Sequence, residues 1–180
     1  SDIHLTIDAG LQKVCVDMFG DEAGAAVVMD VQNGDILALA STPTFDPNDF
    51  VNGISSSDYA LLRNDERAPL YHKAYDGVFP PGSTFKMVVG AAALQAGVIS
   101  PNERVYCSGH YQFGNRRFHC WKRGGHGAVN LHTAIQGSCD VYFYEVAKRL
   151  GQERIAEEAR AFGLGERYEL GMTGGASGTV

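Results

Sequence analysis

The stretch VFPPGSTFKM, residues 78–87, joins a helix-breaking segment to a helix-forming one. Pro80, Pro81 and Gly82 cannot continue a helix towards the N-terminus, whereas the residues that follow are mostly good helix formers. We therefore predict a helix that begins at or near Ser83. Lys86, three residues later, would lie one turn away on the same face of that helix.

The lysine in this first turn has a structural and a chemical interpretation. Serine is a common N-cap residue, and the lysine after it can simply be solvated. However, a capping box has Glu or Gln at this position, and the helix dipole disfavours a cation in the first turn. A lysine beside Ser83 therefore suggests a nucleophile with its general base. The motif is weak by itself, because Ser-x-x-Lys occurs by chance in many proteins.

Composition limits the possible classes of protein. The chain of 180 residues is 44% hydrophobic, enough for one domain with a core. Its formal net charge is −6 and its basic runs are short, which argues against nucleic-acid binding. No apolar stretch approaches the roughly 20 residues of a membrane helix, and no signal peptide is visible. We expect any export signal or anchor to lie upstream.

Hydrophobic patterning predicts an α+β fold, with strands first and helices afterwards. Residues 2–8 are patterned as a short strand, and two apolar runs around Asn33-Gly34 predict a β-hairpin of central strands with a type I′ turn. The section from Tyr106 to Gly127 is rich in glycine and aromatic residues and lacks periodicity. Helices are predicted at about 9–19, 57–62, 131–136, 141–150 and 152–162.

A second candidate motif, Gly137-Ser138-Cys139-Asp140, lies between two helical patterns. A serine in such a turn is often only the cap of the next helix. Alternatively, the Ser138 hydroxyl can relay a proton, and the Asp140 carboxylate can hold a substrate or the lysine.

Ser83-x-x-Lys86 followed by Ser138-x-Asp140 resembles the signature of class B penicillin-binding proteins, the cell-wall cross-linking enzymes. The resemblance covers essentially the whole chain. DIHLTIDAGLQ is similar to the opening of their transpeptidase domain, and AAVVMDVQNGDILALAS and STPTFDPN to its first strands and the next loop. YHKAYDGVFPPGSTFK and WKRGGHGAVNLHTAIQGSCDVYFYEVAKRLG look most like the elongation-type subgroup, penicillin-binding protein 2.

This resemblance implies a penicillin-binding/serine β-lactamase-like fold, with a central antiparallel sheet and helices. Residues 1–180 would form the N-terminal portion of a single transpeptidase domain. The activity implied is that of a peptidoglycan D,D-transpeptidase, which works through a serine acyl-enzyme and is acylated by β-lactams. Ser83 would be the nucleophile, Lys86 its general base, Ser138 the proton relay and Asp140 the third residue of the second motif.

The family's Lys-Thr-Gly strand has no counterpart here. Met172-Thr173-Gly174 lacks the lysine and lies in a glycine-rich tail, so we interpret it as a coincidence. The resemblance places the missing strand downstream, and we expect the stretch alone to be inactive in turnover. The alternatives are a D,D-carboxypeptidase or serine β-lactamase on the same fold, or a non-catalytic zinc-stapled binding domain.

The resemblance also implies a location and partners. The chain would belong to the periplasmic domain of a bacterial protein anchored in the inner membrane. Its partners would be peptidoglycan stem peptides, β-lactam antibiotics, and a glycosyltransferase with other elongation-complex proteins. No organic cofactor is expected.

Three cysteines and a histidine suggest a metal site. Cys107, Cys120, His126 and Cys139 form a complete Cys3His set for tetrahedral zinc, which would be structural because no position is left open. Some members of the elongation-type subgroup are similar, in holding a metal beside the active site with Asp, His and Cys. The alternatives are a Cys107–Cys120 disulfide, plausible in an oxidising compartment, and unpaired thiols.

The other candidates for this site are weaker. His119, adjacent to Cys120, is the first substitute ligand, followed by His110 and His132. Cys15 lies in the first helical pattern beside two valines, so we interpret it as a small core residue.

Overall fold

The computed structural model describes residues 2–180, which form two compact units. The first contains residues 2–78 and Arg167–Ala176, and the second contains Phe79–Glu166 and Ser177–Val180. Helices and antiparallel strands are both present, so the predicted α+β class is confirmed. The predicted order of strands first and helices afterwards was wrong, because four strands between residues 105 and 129 follow three helices. That residues 1–180 are part of a single transpeptidase domain stays a prediction.

The first unit is built on helix α1 (Ala9–Phe19) and a hairpin of β1 (Gly24–Met29) and β2 (Ile36–Thr42). The Asp8 side chain accepts a hydrogen bond from the Leu11 N–H at 2.8 Å and so caps α1. The Gln12 side chain donates to the Leu39 carbonyl and accepts from its N–H, which ties α1 to β2.

Two predictions for this unit were wrong in detail. Residues 2–8 form no strand, because their bonds to β2 come from the Thr6 hydroxyl and the Asp8 N–H, and these two bonds do not make a backbone ladder. The hairpin loop is also longer than a type I′ turn. The N–H of Gly34 donates to the Asp30 carbonyl, so four residues separate Asp30 from Asp35, and Gly34 alone in this loop has a positive φ.

The hairpin strands are not buried on both faces. Residues of β1 alternate between half-buried and exposed, and Val27 and Met29 are about half exposed. The rest of the first unit contains a 3-10 turn (Pro47–Phe50) and helix α2 (Ser56–Asn64), which confirms the helix predicted near 57–62.

The second unit has a helical core. A 3-10 turn (Gly82–Thr84) leads into α3 (Phe85–Gln95), which packs against the later helices α5 and α6. Tyr142 and Val146 of α5 are fully buried in this core. Three predicted helices are confirmed to within a residue: α4 (Leu131–Gln136), α5 (Asp140–Leu150) and α6 (Gln152–Ala161).

The aperiodic section contains four short strands that patterning did not predict. β4 (His110–Phe113) and β5 (Arg116–His119) form a hairpin, while β3 (Val105–Cys107) pairs with β6 (Gly127–Val129). Strands of three or four residues are too short for a reliable alternation. The signal present was Gly114-Asn115 between aromatic residues, a two-residue hairpin loop.

Among residues 2–180, no helix has both the length and the apolar character needed to cross a membrane.

Candidate active site

Ser83 lies on a short turn at the start of α3. Gly82 adopts a positive φ of 57°, which a residue with a Cβ rarely adopts. The 3-10 turn carries Ser83, and the α-helix proper begins at Phe85, two residues later than the helix start predicted from the prolines. The Thr84 hydroxyl donates to the Pro81 carbonyl at 2.6 Å and closes this turn.

Three side chains from two segments meet at this turn. The Ser138 hydroxyl donates to Ser83 Oγ at 2.9 Å, and Lys86 Nζ donates to Ser138 Oγ at 3.0 Å. Among the described residues, no direct hydrogen bond joins Lys86 to Ser83, so the direct contact expected from one helical turn is not found. Ser138 instead lies between the lysine and the candidate nucleophile.

Lys86 is held by several contacts at once. Its Nζ donates to the Ser138 carbonyl at 2.9 Å and forms an ion pair with Asp140 Oδ1 at 2.6 Å. The Phe143 ring centroid lies 5.9 Å from the same atom. The Lys86 side chain is only 14% exposed. The lysine therefore points towards Ser138 and Asp140 and not into solvent.

The Asp140 carboxylate has a second partner. Burial acts to raise the pKa of Asp140, but hydrogen bonds from Lys86 and from the Trp121 backbone N–H outweigh it and lower that pKa. The N–H of Trp121 lies 3.0 Å from Asp140 Oδ2. Asp140 also begins α5, as predicted, and a carboxylate is favourable at that end of a helix.

Ser138 has a strained backbone. Its φ of 49° lies in the left-handed region, which costs a residue other than glycine on the order of 1–3 kcal/mol. The N-cap position of α5 belongs to Cys139, so Ser138 is not the helix cap. This conformation directs its hydroxyl towards Ser83, and such strain is typical of functional sites.

Trp121 was missed by the motif analysis. Besides its backbone bond to Asp140, its indole N–H donates to the Gly137 carbonyl at 3.0 Å. It therefore contacts the second motif at both ends. Backbone donors leave no signature in a sequence, and the one available signal was its position beside Cys120.

The predicted metal ligands lie in one cluster. The three thiol sulfurs and a ring nitrogen of Cys107, Cys120, His126 and Cys139 are all within 4.8 Å of one another. The three thiols are buried. His110, His119 and His132 are not part of the cluster. The structure therefore brings the four predicted side chains together, and their role as zinc ligands stays a prediction.

These cysteines are free thiols, so the alternative of a Cys107–Cys120 disulfide is not found. Burial acts to raise the pKa of Cys107, but hydrogen bonds from His126 and Gly109 outweigh it and lower that pKa to about 7. For Cys139, burial dominates and raises the pKa to about 12. Cys15, outside the cluster, is half-buried rather than a core residue.

A serine hydroxyl joined through a second hydroxyl to a lysine is an arrangement suited to acyl transfer. Residues 24–180 match the model of the penicillin binding protein transpeptidase domain. The chain belongs to this family. The resemblance inferred from the two motifs is thereby confirmed.

Known transpeptidase-family proteins are similar over nearly all of the chain. Peptidoglycan D,D-transpeptidase MrdA of Escherichia coli K12 is 40% identical over 181 residues, which cover 99% of this chain and 29% of MrdA. The chain therefore spans less than a third of the length of this relative.

Solved structures agree with this assignment. Pseudomonas aeruginosa PBP2 in complex with WCK 5153 is 42% identical, with a TM-score of 0.95 over 99% of this chain and 41% of that chain. Helicobacter pylori PBP2 in a complex with MreC is 37% identical, with a TM-score of 0.86 over 89% of this chain and 30% of that chain. The predicted transpeptidase fold and the likeness to penicillin-binding protein 2 are confirmed.

The structure also bears on the tail of this transpeptidase-family chain. Met172-Thr173-Gly174 forms a bend and not a strand, as expected for a coincidental match to Lys-Thr-Gly. The catalytic roles of Ser83, Lys86, Ser138 and Asp140 stay predictions, although the structure brings all four together.

Proposed function

We propose that the full-length protein is a peptidoglycan D,D-transpeptidase that works through an acyl-enzyme on Ser83. The observation that carries the proposal is the continuous hydrogen-bonded path from Ser83 Oγ through Ser138 Oγ to Lys86 Nζ. This path gives the nucleophile's proton a route to a base. Because the chain spans under a third of MrdA, the activity is proposed for the whole protein.

In the first half-reaction, Ser83 Oγ attacks the carbonyl carbon between two D-alanine residues of a stem peptide. Lys86, which is an ammonium ion paired with Asp140 in the structure, first gives up a proton to water. The two hydrogen bonds then reverse, and the Ser83 hydroxyl proton passes through Ser138 to the Lys86 amine. The Ser83 backbone N–H supplies one donor for the developing oxyanion. The peptide bond then breaks, the departing amine takes up a proton, and D-alanine leaves. In the second half-reaction, an amine of a neighbouring peptide attacks the ester carbonyl and forms a new peptide bond. The ester bond to Ser83 Oγ breaks, and the proton lost by the amine returns to that oxygen.

The experiment is labelling of the full-length protein with a fluorescent penicillin. We expect one label per chain, which peptide mass spectrometry should locate on Ser83. A stable label supports a transpeptidase, whereas rapid release of the label to water indicates a β-lactamase. A carboxypeptidase would be recognised by hydrolysis of a D-alanyl-D-alanine peptide even when an acceptor amine is present. If the protein were not labelled at all, the result would contradict the proposal and favour a non-catalytic binding domain.

Ser138→Ala should slow penicillin acylation about 100-fold, because it removes the hydroxyl between nucleophile and base. The rate of labelling of the full-length protein is the measurement. Ser100→Ala, an exposed serine outside the cluster, is the matched control. An unchanged rate in Ser138→Ala would show that the proton does not travel through Ser138.

We also propose that Cys107, Cys120, His126 and Cys139 hold a structural zinc ion. Three thiols and an imidazole are a donor set that zinc prefers, and their ligand atoms lie within 4.8 Å of one another. Bound zinc would staple the short strands β3–β6, which bury little apolar surface. Four protein ligands leave no open position, so the chemistry of acyl transfer stays with Ser83 and Lys86.

For the whole protein we propose a periplasmic transpeptidase domain anchored in the inner membrane. Peptidoglycan stem peptides as substrates and β-lactams as inhibitors are supported by the family and by the name of MrdA. A role with a glycosyltransferase and other proteins of an elongation complex is supported by the Helicobacter pylori structure, in which a related PBP2 is bound to MreC.

A further inference from the structure

Three basic residues line a cavity of about 600 Å³ next to the candidate active site. Its basic lining residues are His110, His119 and Arg123. The two histidines face each other across the β4–β5 pair. No carboxylate lines the cavity within the described part of the chain. Imidazole and guanidinium groups are hydrogen-bond donors suited to an anion.

The charge around the cavity differs from that of the chain as a whole. Residues 104–139 contain no Asp or Glu, although the chain has 21 acidic residues and a net charge of −6. The basic residues of the same stretch are Arg104, Arg116, Arg117, Lys122 and Arg123. A locally positive surface on an acidic protein favours negatively charged ligands at that surface.

The Arg123 guanidinium is not used to hold the fold together. Over residues 2–180, its side chain forms no hydrogen bond or ion pair, and neither does that of His119. By contrast, Arg149 is paired with two glutamates in the same unit. Arg123 thus keeps its donors available for a bound carboxylate, which an arginine can contact through two parallel hydrogen bonds.

The backbone at the cavity rim is fixed. Gly109 lies so close to the Arg123 carbonyl that a Cβ there would overlap it, and Gly125 lies equally close to the Cys107 carbonyl. The Cys120 N–H also donates to the Gly109 carbonyl at 2.9 Å. The loop that carries Arg123 is therefore positioned against β3 and β4 before any ligand binds, which lowers the entropic cost of binding.

The cavity adjoins the catalytic cluster through Trp121, which lines it and bonds to Asp140 and Gly137. The proposed reaction uses two peptides, and the acceptor brings an amine together with its own carboxylates. We propose that this cavity binds a carboxylate of the acceptor peptide, with Arg123 and His110 as the recognising side chains. This assignment rests on the proposed transpeptidase function and names a binding site for its second substrate.

The test compares two acceptor peptides that differ only in a free carboxylate or an amide at the same position. In the full-length protein, we expect acyl transfer to show a KM about tenfold lower for the carboxylate acceptor, the effect of one hydrogen bond to a charged group. Arg123→Gln and His110→Gln should each reduce this preference towards one. The ratio is independent of the acylation rate, because both acceptors meet the same acyl-enzyme.

Arg116→Gln is the matched control. Arg116 lies on the other face of the same hairpin, over the Phe118 ring, so this variant removes equal charge without changing the cavity. It should keep the wild-type preference. An equal loss in Arg116→Gln and Arg123→Gln would overturn the proposal in favour of general electrostatic attraction, and an unchanged preference in Arg123→Gln would overturn it outright.

A binding measurement separates this proposal from the proposed function. Isothermal titration of both peptides into the full-length Ser83→Ala protein requires no turnover. Weaker binding of the carboxylate peptide, but not of the amide, after Arg123→Gln would support the cavity even if penicillin labelling fails. If Arg123→Gln did not change the affinity for the carboxylate peptide, the proposed carboxylate site would be refuted even if labelling succeeds.

Discussion

Lys86→Met in the full-length protein should lower the rate of penicillin acylation about 1,000-fold, within the range of general-base contributions. Lys86 Nζ contacts the Ser138 hydroxyl and carbonyl and the Asp140 carboxylate. Methionine fills a similar volume but accepts no proton, and it leaves the partly buried Asp140 without its cation. The rate of labelling by a fluorescent penicillin, measured under single-turnover conditions, is the readout.

Lys86→Arg distinguishes a base from a simple counter-charge. Arginine keeps the positive charge beside Asp140 but cannot be deprotonated in a protein. We therefore expect a loss as large as that of Lys86→Met. Lys148→Met, an exposed lysine on α5, should label at the wild-type rate. If Lys86→Arg retained more than about a tenth of the wild-type rate, Lys86 would not be the required base.

Local signals predicted the parts of the fold that depend on neighbouring residues. The bounds of α1 and α4 match the expected ranges because their caps, Asp8 and Asn130, bond to backbone donors three residues later. The hairpin around Asn33-Gly34 was likewise predicted, but its loop length was not. The Asp30 carbonyl accepts from Gly34 rather than from Asn33, a choice that the dipeptide alone does not specify.

The sequence predicted which residues form the candidate site, but not which of them are hydrogen-bonded to each other. The spacing of Ser83 and Lys86 placed them on one turn. However, Ser138 is 52 residues from Lys86, and its insertion between the two depends on how α3 and the α4–α5 junction pack. The left-handed backbone of Ser138 has no sequence signal, because such a conformation usually indicates glycine, asparagine or aspartate.

For the cysteine cluster, the residues were predicted without knowledge of the local fold. Its four members lie at the ends of short strands that patterning did not detect and at the start of α5, yet donor chemistry alone grouped four side chains that the structure brings together. Thiols and an imidazole form a complete ligand set, and that completeness does not depend on knowing the strands. The β4–β5 hairpin, by contrast, had only the Gly114-Asn115 loop as a sequence signal, and its strands are too short for patterning to detect.

The full-length protein purified without chelator should contain about one zinc ion per chain, the stoichiometry of a single four-ligand site. Replacing a ligand, as in Cys107→Ser or Cys120→Ser, should reduce the zinc content to below about a tenth, because the ion loses a thiolate from a closed set. Elemental analysis measures the content. Cys15→Ser is the matched control, since Cys15 lies in the first unit, outside the cluster.

Loss of the metal should also affect acylation, because Cys139 is covalently bonded to both Ser138 and Asp140. Freed from the ion, this thiol would no longer hold the turn that directs the Ser138 hydroxyl towards Ser83. We expect residues 105–127 to lose amide protection in hydrogen exchange and penicillin labelling to slow by at least about tenfold, the scale seen when ligand-positioning contacts are removed. Cys15→Ser should change neither measurement. Zinc-free protein that labels at the wild-type rate would show that packing alone positions Ser138, because the strained turn would then persist without the ion.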